Sequence, residues 1–159
     1  MLTQSRIIEL FEYRDGALFR KVNVGSTKIG ERAGSINKTD GYRYVKIDGT
    51  CYPEHRIIYL FHFGIATLLD HINGVRDDKR IENLRPCTVQ QNRYNAGLNK
   101  NNKSGVKGVF WFKRTKKWSA RLGINGKQIH LGYFVNLDEA RLIVETERKR
   151  LHGEFARDF

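Results

Sequence analysis

The sequence predicts an α+β chain of short antiparallel strands and short helices, ending in a small three-stranded antiparallel sheet packed on one helix. Three observations carry that expectation. Tyr42-Arg43-Tyr44-Val45-Lys46-Ile47 alternates with a period of two and runs into Asp48-Gly49, the chemistry of a tight hairpin turn. Glu54 to Phe63 then changes to helical spacing, with Ile57, Ile58, Leu60 and Phe61 as its apolar positions. A second alternating stretch begins at Val106, turns at Asn125-Gly126 and gives way to a helical pattern from Leu137.

Taken in order, Thr3 or Ser5 caps a first helix through Glu12, with Ile7, Ile8 and Phe11 at helical spacing. Asp15-Gly16 turns the chain into the strand Ala17-Leu18-Phe19, and residues 22–40, rich in Gly, Lys and Ser, read as an exposed loop. The Tyr42–Tyr52 hairpin and the Glu54–Phe63 helix follow. The run from Ile65 to Leu69 ends at Asp70-His71, and Leu84-Arg85-Pro86-Cys87 is short and extended. Thr88 caps a polar helix carrying Gln90, Gln91, Asn92, Arg93 and Asn95. Residues 97–104 form a basic polar linker, dividing a domain of residues 1–96 from one of residues 105–159. In the second domain, strands over Val106–Phe112, Trp118–Ile124 and Lys127–Phe134 precede a helix capped by Asp138, with Ala140, Ile143, Val144 and Leu151 on one face and Gly153 at its end.

Composition narrows the function classes. Mean hydropathy of −0.57 and the lack of any apolar run near ~20 residues exclude a spanning helix, and no signal-peptide core follows Met1, so a cytoplasmic location is expected. Cys51 and Cys87 stand alone, which argues against a disulfide framework or a structural zinc site. The net charge of +12 is unevenly spread: residues 1–98 carry 15 Lys and Arg against 11 Asp and Glu, whereas residues 99–159 carry 14 against 6. No acidic residue lies between Glu82 and Asp138. A solvated surface interleaves both signs, so this one-signed stretch points to nucleic acid, and no basic amphipathic helix accompanies it to suggest a membrane.

The alternation of the C-terminal strands places the candidate contacts. With Val109, Trp111, Trp118, Ala120, Leu122, Ile129 and Leu131 toward the helix, the other face presents Phe110, Phe112, Ser119, Arg121, Gln128 and His130, bordered by Lys113, Arg114, Lys116 and Lys117. Lys107 and Arg93 add charge from the same acid-free stretch. Such a face suits a groove of double-stranded DNA. His55-Arg56, at a helix start, suits a phosphate; a packed or capping His55 is the alternative, and its seven-residue spacing from His62 does not suit a metal.

His55-Arg56-Ile57-Ile58, Asp70-His71-Ile72-Asn73-Gly74, Arg80-Ile81-Glu82-Asn83-Leu84-Arg85 and Gln91-Asn92-Arg93-Tyr94-Asn95, in that order, resemble the HNH endonuclease family in its phage homing-endonuclease branch. Residues 105–156 resemble the Apetala/ethylene-response-factor DNA-binding domain through Gly108-Val109, Lys117-Trp118, Asn125-Gly126-Lys127, Leu131-Gly132, Glu139-Ala140 and Leu151-His152-Gly153-Glu154-Phe155-Ala156. Phe110-Trp111-Phe112 replaces the Arg-rich first strand of the plant proteins, so no target sequence transfers.

The HNH resemblance implies a ββα-metal core over about residues 66–96 and site-specific hydrolysis of DNA. One Mg²⁺ or Mn²⁺ would be held by Asp70 and by the Asn92 amide, where many relatives have histidine; Asn95 is the reserve ligand. His71 would act as general base and Asn83 would orient it across the loop, with Arg80 or Arg85 on the scissile phosphate. No small-molecule cofactor is implied, and one site per chain suits a monomer on DNA. A non-catalytic DNA-binding regulator that retains the fold is the alternative.

Overall fold

Tight turns with left-handed backbone punctuate the chain where the sequence supplies Asp-Gly or Asn-Gly: Asp15 and Gly16, Asp48 and Gly49, and Asn125 and Gly126 all have positive φ. The computed structural model describes residues 2–158 and divides into two compact units, Met1–Thr88 and Val89–Phe159. Among the described residues, no helix is long and apolar enough to cross a membrane.

In the N-terminal unit, helix α1 (Gln4–Leu10) is capped by the Thr3 side chain, which accepts from Arg6 N. It ends two residues short of the expected Glu12, because Phe11 starts strand β1 (Phe11–Arg14), which pairs antiparallel with β2 (Ala17–Arg20). Within the expected loop, β3 (Ser35–Ile36) pairs with β4 (Arg43–Ile47), and β4 pairs with β5 (Thr50–Pro53). Gly34 permits the first pairing: a Cβ there would stand 2.3 Å from the Tyr44 carbonyl oxygen. Helix α2 (Glu54–Phe63) buries Ile57, Ile58 and Leu60 and ends on the left-handed Gly64.

The last pair, β6 (Leu69–His71) and β7 (Leu84–Pro86), is antiparallel, with Asp70 opposite Arg85 and His71 opposite Leu84. Leu69 and Leu84 join the core of Ile7, Phe11, Leu18, Val45, Ile57 and Ile58. Each fully buried leucine contributes about 1.5–3 kcal/mol, which fixes this short pair on the domain.

The C-terminal unit begins with α3 (Val89–Tyr94), so residues 89–96, grouped with the first domain in the sequence reading, cluster by contact with the second. The expected linker is partly built into it: Asn102 Nδ2 donates to Val106 O at 2.9 Å, and Ser104 Oγ donates to Val109 O at 2.6 Å. Strands β8 (Val109–Phe112), β9 (Lys117–Ile124) and β10 (Lys127–Phe134) form an antiparallel sheet in the order β10-β9-β8. Helix α4 (Leu137–His152) packs on it, capped by Asn136 and not by the expected Asp138. Its buried positions, Ala140, Val144, Arg148 and His152, recur every four residues. Ile143 stays largely exposed, as do Trp111 and Ile129 on the sheet, three residues the apolar pattern assigned to the interface.

Candidate active site and nucleic-acid face

The β6–β7 pair divides its two chemical groups by strand alternation. Asp70 takes the side facing Arg85: its Oδ2 accepts from Arg85 Nε at 3.0 Å and from Nη2 at 2.8 Å. This places Arg85, a phosphate candidate, on the carboxylate. His71 lies in a cluster of rings, 5.1 Å from His55 in an edge-to-face arrangement and 6.1 Å from Tyr42, which itself lies 5.2 Å from His55. Both His71 and Asp70 are at most 5% exposed.

Burial moves the histidines in one direction. Desolvation holds the His71 imidazole below its usual pKa, although the Asp70 carboxylate opposes the shift. His55 is pushed down to about 3, by burial first and then by His71, Arg56 and Lys79. Both rings are therefore neutral at neutral pH, and a neutral imidazole is the form that accepts a proton. His55, a candidate phosphate contact, is 6% exposed and packed behind His71, whereas Arg56 beside it is exposed.

The loop after His71 is built from its own polar residues. Asn83 Oδ1 accepts from Asn73 N at 3.0 Å, while Asn83 Nδ2 donates to Asn73 Oδ1 at 3.0 Å and to Asp78 O at 2.7 Å. Ile72 N donates to Asn83 O at 2.9 Å, so Asn83 ties both ends of the loop together one residue from His71. Arg80 forms a fork with Asp78, at 2.9 and 2.8 Å, and Gly16 lets the β1–β2 turn approach: a Cβ there would meet Arg80 N at 2.8 Å. Beneath the loop, the buried Lys79 Nζ lies 2.5 Å from Asp77 and 3.4 Å from Glu54, itself fully buried at the start of α2. Arg43 and Arg32 stand 3.7 and 3.9 Å from the same Glu54 oxygen. The sequence reading missed Tyr42, Glu54 and Lys79; a buried lysine beside Asp-Asp carries no periodic signal.

The Asp70 carboxylate is a hard-oxygen donor, which suits a divalent cation such as Mg²⁺ or Mn²⁺ better than zinc. No group of three or more His, Cys, Asp or Glu side chains able to hold a metal occurs among the described residues. Asn92 is exposed on α3 and Asn95 is buried just beyond it, both in the C-terminal unit.

The open sheet face of that unit gathers aromatic rings and cations. The Arg121 guanidinium lies 4.7 Å over Phe110, Arg114 lies 5.7 Å over Phe112, and Tyr133 stacks on Phe112 at 5.4 Å and meets His130 at 4.5 Å. Ser119 is fully buried under this layer. Tyr133 joins the face because a bulge between His130 and Gly132 changes the phase of β10, placing Tyr133 opposite Ser119. Simple alternation from His130 therefore misses it. Lys113, Lys116 and Lys117 are exposed around the β8–β9 turn, and Gln128 is exposed on β10. Lys107 instead turns inward, its Nζ donating to Tyr94 O at 2.8 Å and Ala96 O at 2.6 Å.

Residues 52–94 match the HNH endonuclease family model, which spans β6, its loop, β7 and α3. Protein 3.8 of Escherichia phage T7 is 35% identical over 89 residues, covering 56% of this chain and 73% of that protein. No solved structure matches the chain at a meaningful level. The chain belongs to the family of phage T7 Protein 3.8 and carries an HNH endonuclease domain at residues 52–94.

Proposed function

We propose that this protein is a site-specific, divalent-metal-dependent DNA endonuclease of homing type, hydrolysing a phosphodiester with His71 as general base. The observation that carries the reading is the buried, ring-packed His71 next to Asp70 on a strand pair inside the HNH match. His71 takes the proton from the attacking water, and Asp70 is the carboxylate ligand for Mg²⁺ or Mn²⁺. When bound, the cation polarises the phosphate and stabilises the leaving 3′ oxygen. Asn92 is proposed as an amide ligand to the same cation. Asn83 acts as a positioning residue, since its hydrogen bonds go to the loop and not toward a reacting phosphate.

The C-terminal unit is proposed to choose the site, in the manner of an Apetala-type domain. Phe110, Phe112, Arg121, His130 and Tyr133 offer stacking and hydrogen bonding, while Lys113, Arg114, Lys116 and Lys117 supply phosphate contacts. The test is to incubate the full chain with supercoiled and linear phage DNA in Mg²⁺ or EDTA and to map the ends. Metal-dependent nicks or breaks at recurring positions support the reading. DNA binding without a cut in Mg²⁺ or Mn²⁺ would leave a regulator in its place.

A further inference from the structure

A cavity of about 350 Å³ lies within the C-terminal unit, sharing Arg121 and Gln128 with the sheet. Its walls come from α3, the 107–108 segment, the second half of β9, the β9–β10 turn and α4. Five cationic side chains line it, Arg93, Lys107, Arg121, Lys127 and Arg148, and no carboxylate does.

Two of the five form the scaffold. Arg148 is 1% exposed, pairs with Asp158 and donates through Nη2 to the Lys107 carbonyl oxygen, yet its Nε is buried with no hydrogen-bond partner among the described residues. Gly108 makes that approach possible, because a Cβ at its positive φ would stand 2.4 Å from Arg121 O. Lys107 is pushed down to about 8, by burial first and then by the neighbouring Arg148 and Arg157, with Asp158 opposing the shift. On another wall, His152 stacks flat on Tyr94 at 3.6 Å and bonds Gly123 O through Nε2 at 2.9 Å. Its Nδ1 is also buried without a partner among the described residues.

Arg93, Arg121 and Lys127 form no ion pair among the described residues, and Arg93 and Lys127 are exposed at the rim. Among the described residues, five cations line one cavity and one carboxylate, Asp158, is seen bound to one of them; such crowding of like charge is unfavourable unless a ligand returns the missing negative charge. The volume is near the lower end for ligand cavities, enough for one phosphate with its sugar and too small for a duplex.

We infer that this cavity is a phosphate site, in which Arg93 and Lys127 grip the anion at the rim while Lys107 and Arg148 provide the fixed positive wall. The phosphate comes from a DNA backbone or from a free nucleotide. The inference is independent of cleavage at His71.

Calorimetry on the full chain at low ionic strength tests it, with inorganic phosphate, a deoxynucleoside monophosphate and a short duplex as probes and sodium chloride matching the ionic strength. Saturable phosphate binding is expected, weakened about tenfold or more by Arg93→Gln and by Lys127→Gln, the loss of one charge-assisted hydrogen bond each. Circular dichroism checks that both variants keep the fold. Displacement of phosphate by duplex identifies the DNA backbone as the source; monophosphate binding that duplex does not displace identifies a free nucleotide. Heats that follow ionic strength alone, or an unchanged affinity in the Arg93→Gln/Lys127→Gln double variant, would overturn the inference.

Discussion

The two units treat their charged side chains in opposite ways. In residues 1–88, polar groups answer one another: Asp70 with Arg85, Lys79 with Glu54 and Asp77, and Asn83 with the loop it closes. In residues 89–159, arginines of α4 pair with Asp138, Glu147 and Asp158, but the cavity wall holds five cations and no carboxylate, and aromatic rings of the sheet stay in solvent. The first arrangement holds a few groups at fixed positions, as proton transfer and metal binding require. The second leaves charge and ring faces to be answered by a polyanion. The difference teaches that positioning and attraction are built by different means in one chain.

The contrast breaks most visibly at His71. His71→Ala is expected to lower cleavage by about a hundredfold or more, the contribution of a general base, while duplex affinity measured by gel shift stays within error. Undiminished cutting by that variant would remove His71 as the base.

Next in size is the buried lysine. Lys79→Met leaves Glu54 buried without its nearest cation and is expected to cost about 3 kcal/mol in urea unfolding. The N-terminal unit should lose this stability and the C-terminal unit should not, which separate tryptophan and far-ultraviolet transitions would report, since both tryptophans lie in residues 89–159.

A pH series sharpens the same point. The folded pKa of His55, about 3, lies below its ordinary 6.5, so the unfolded chain binds the proton more readily. Stability is full above about pH 6.5 and falls as pH drops toward 3, with a limiting slope of about 1.4 kcal/mol per pH unit. His55→Phe should flatten this part of the curve; an equal slope in that variant would show that the ring carries none of it.

The smallest effect belongs to the sheet face. Arg121→Ala removes one cation over Phe110 and is expected to weaken duplex binding about tenfold, with the dependence of affinity on salt reduced by about one phosphate contact. A salt dependence equal to that of the unaltered chain would take Arg121 off the DNA.

Much of this organisation is legible in residue order, because it is local. Asp15-Gly16, Asp48-Gly49 and Asn125-Gly126 each carry the left-handed backbone that their turns need. The spacing of Ile57, Ile58 and Leu60 announces α2, and the acid-free run from Asn83 to Leu137 announces the cationic half. Three features were hidden. β3 is two residues long and depends on Gly34 fitting against Tyr44. The bulge in β10 turns Tyr133 onto the open face. Arg148 and His152 continue the buried stripe of Ala140 and Val144, which an apolar pattern does not mark.

By itself, then, the sequence determined the turns, the helices with clear periodicity, the Asp70-His71 pair and the charge imbalance, all set by neighbouring residues and their backbone preferences. Tertiary structure alone decided which partner each polar group meets: Arg85 for Asp70, the His55 and Tyr42 rings for His71, Glu54 for Lys79, and Tyr94 for His152. Those partners stand 15 to 58 residues apart in the chain, and no local period records them. Packing brings them together because a polar group leaving water must find its complement inside the fold.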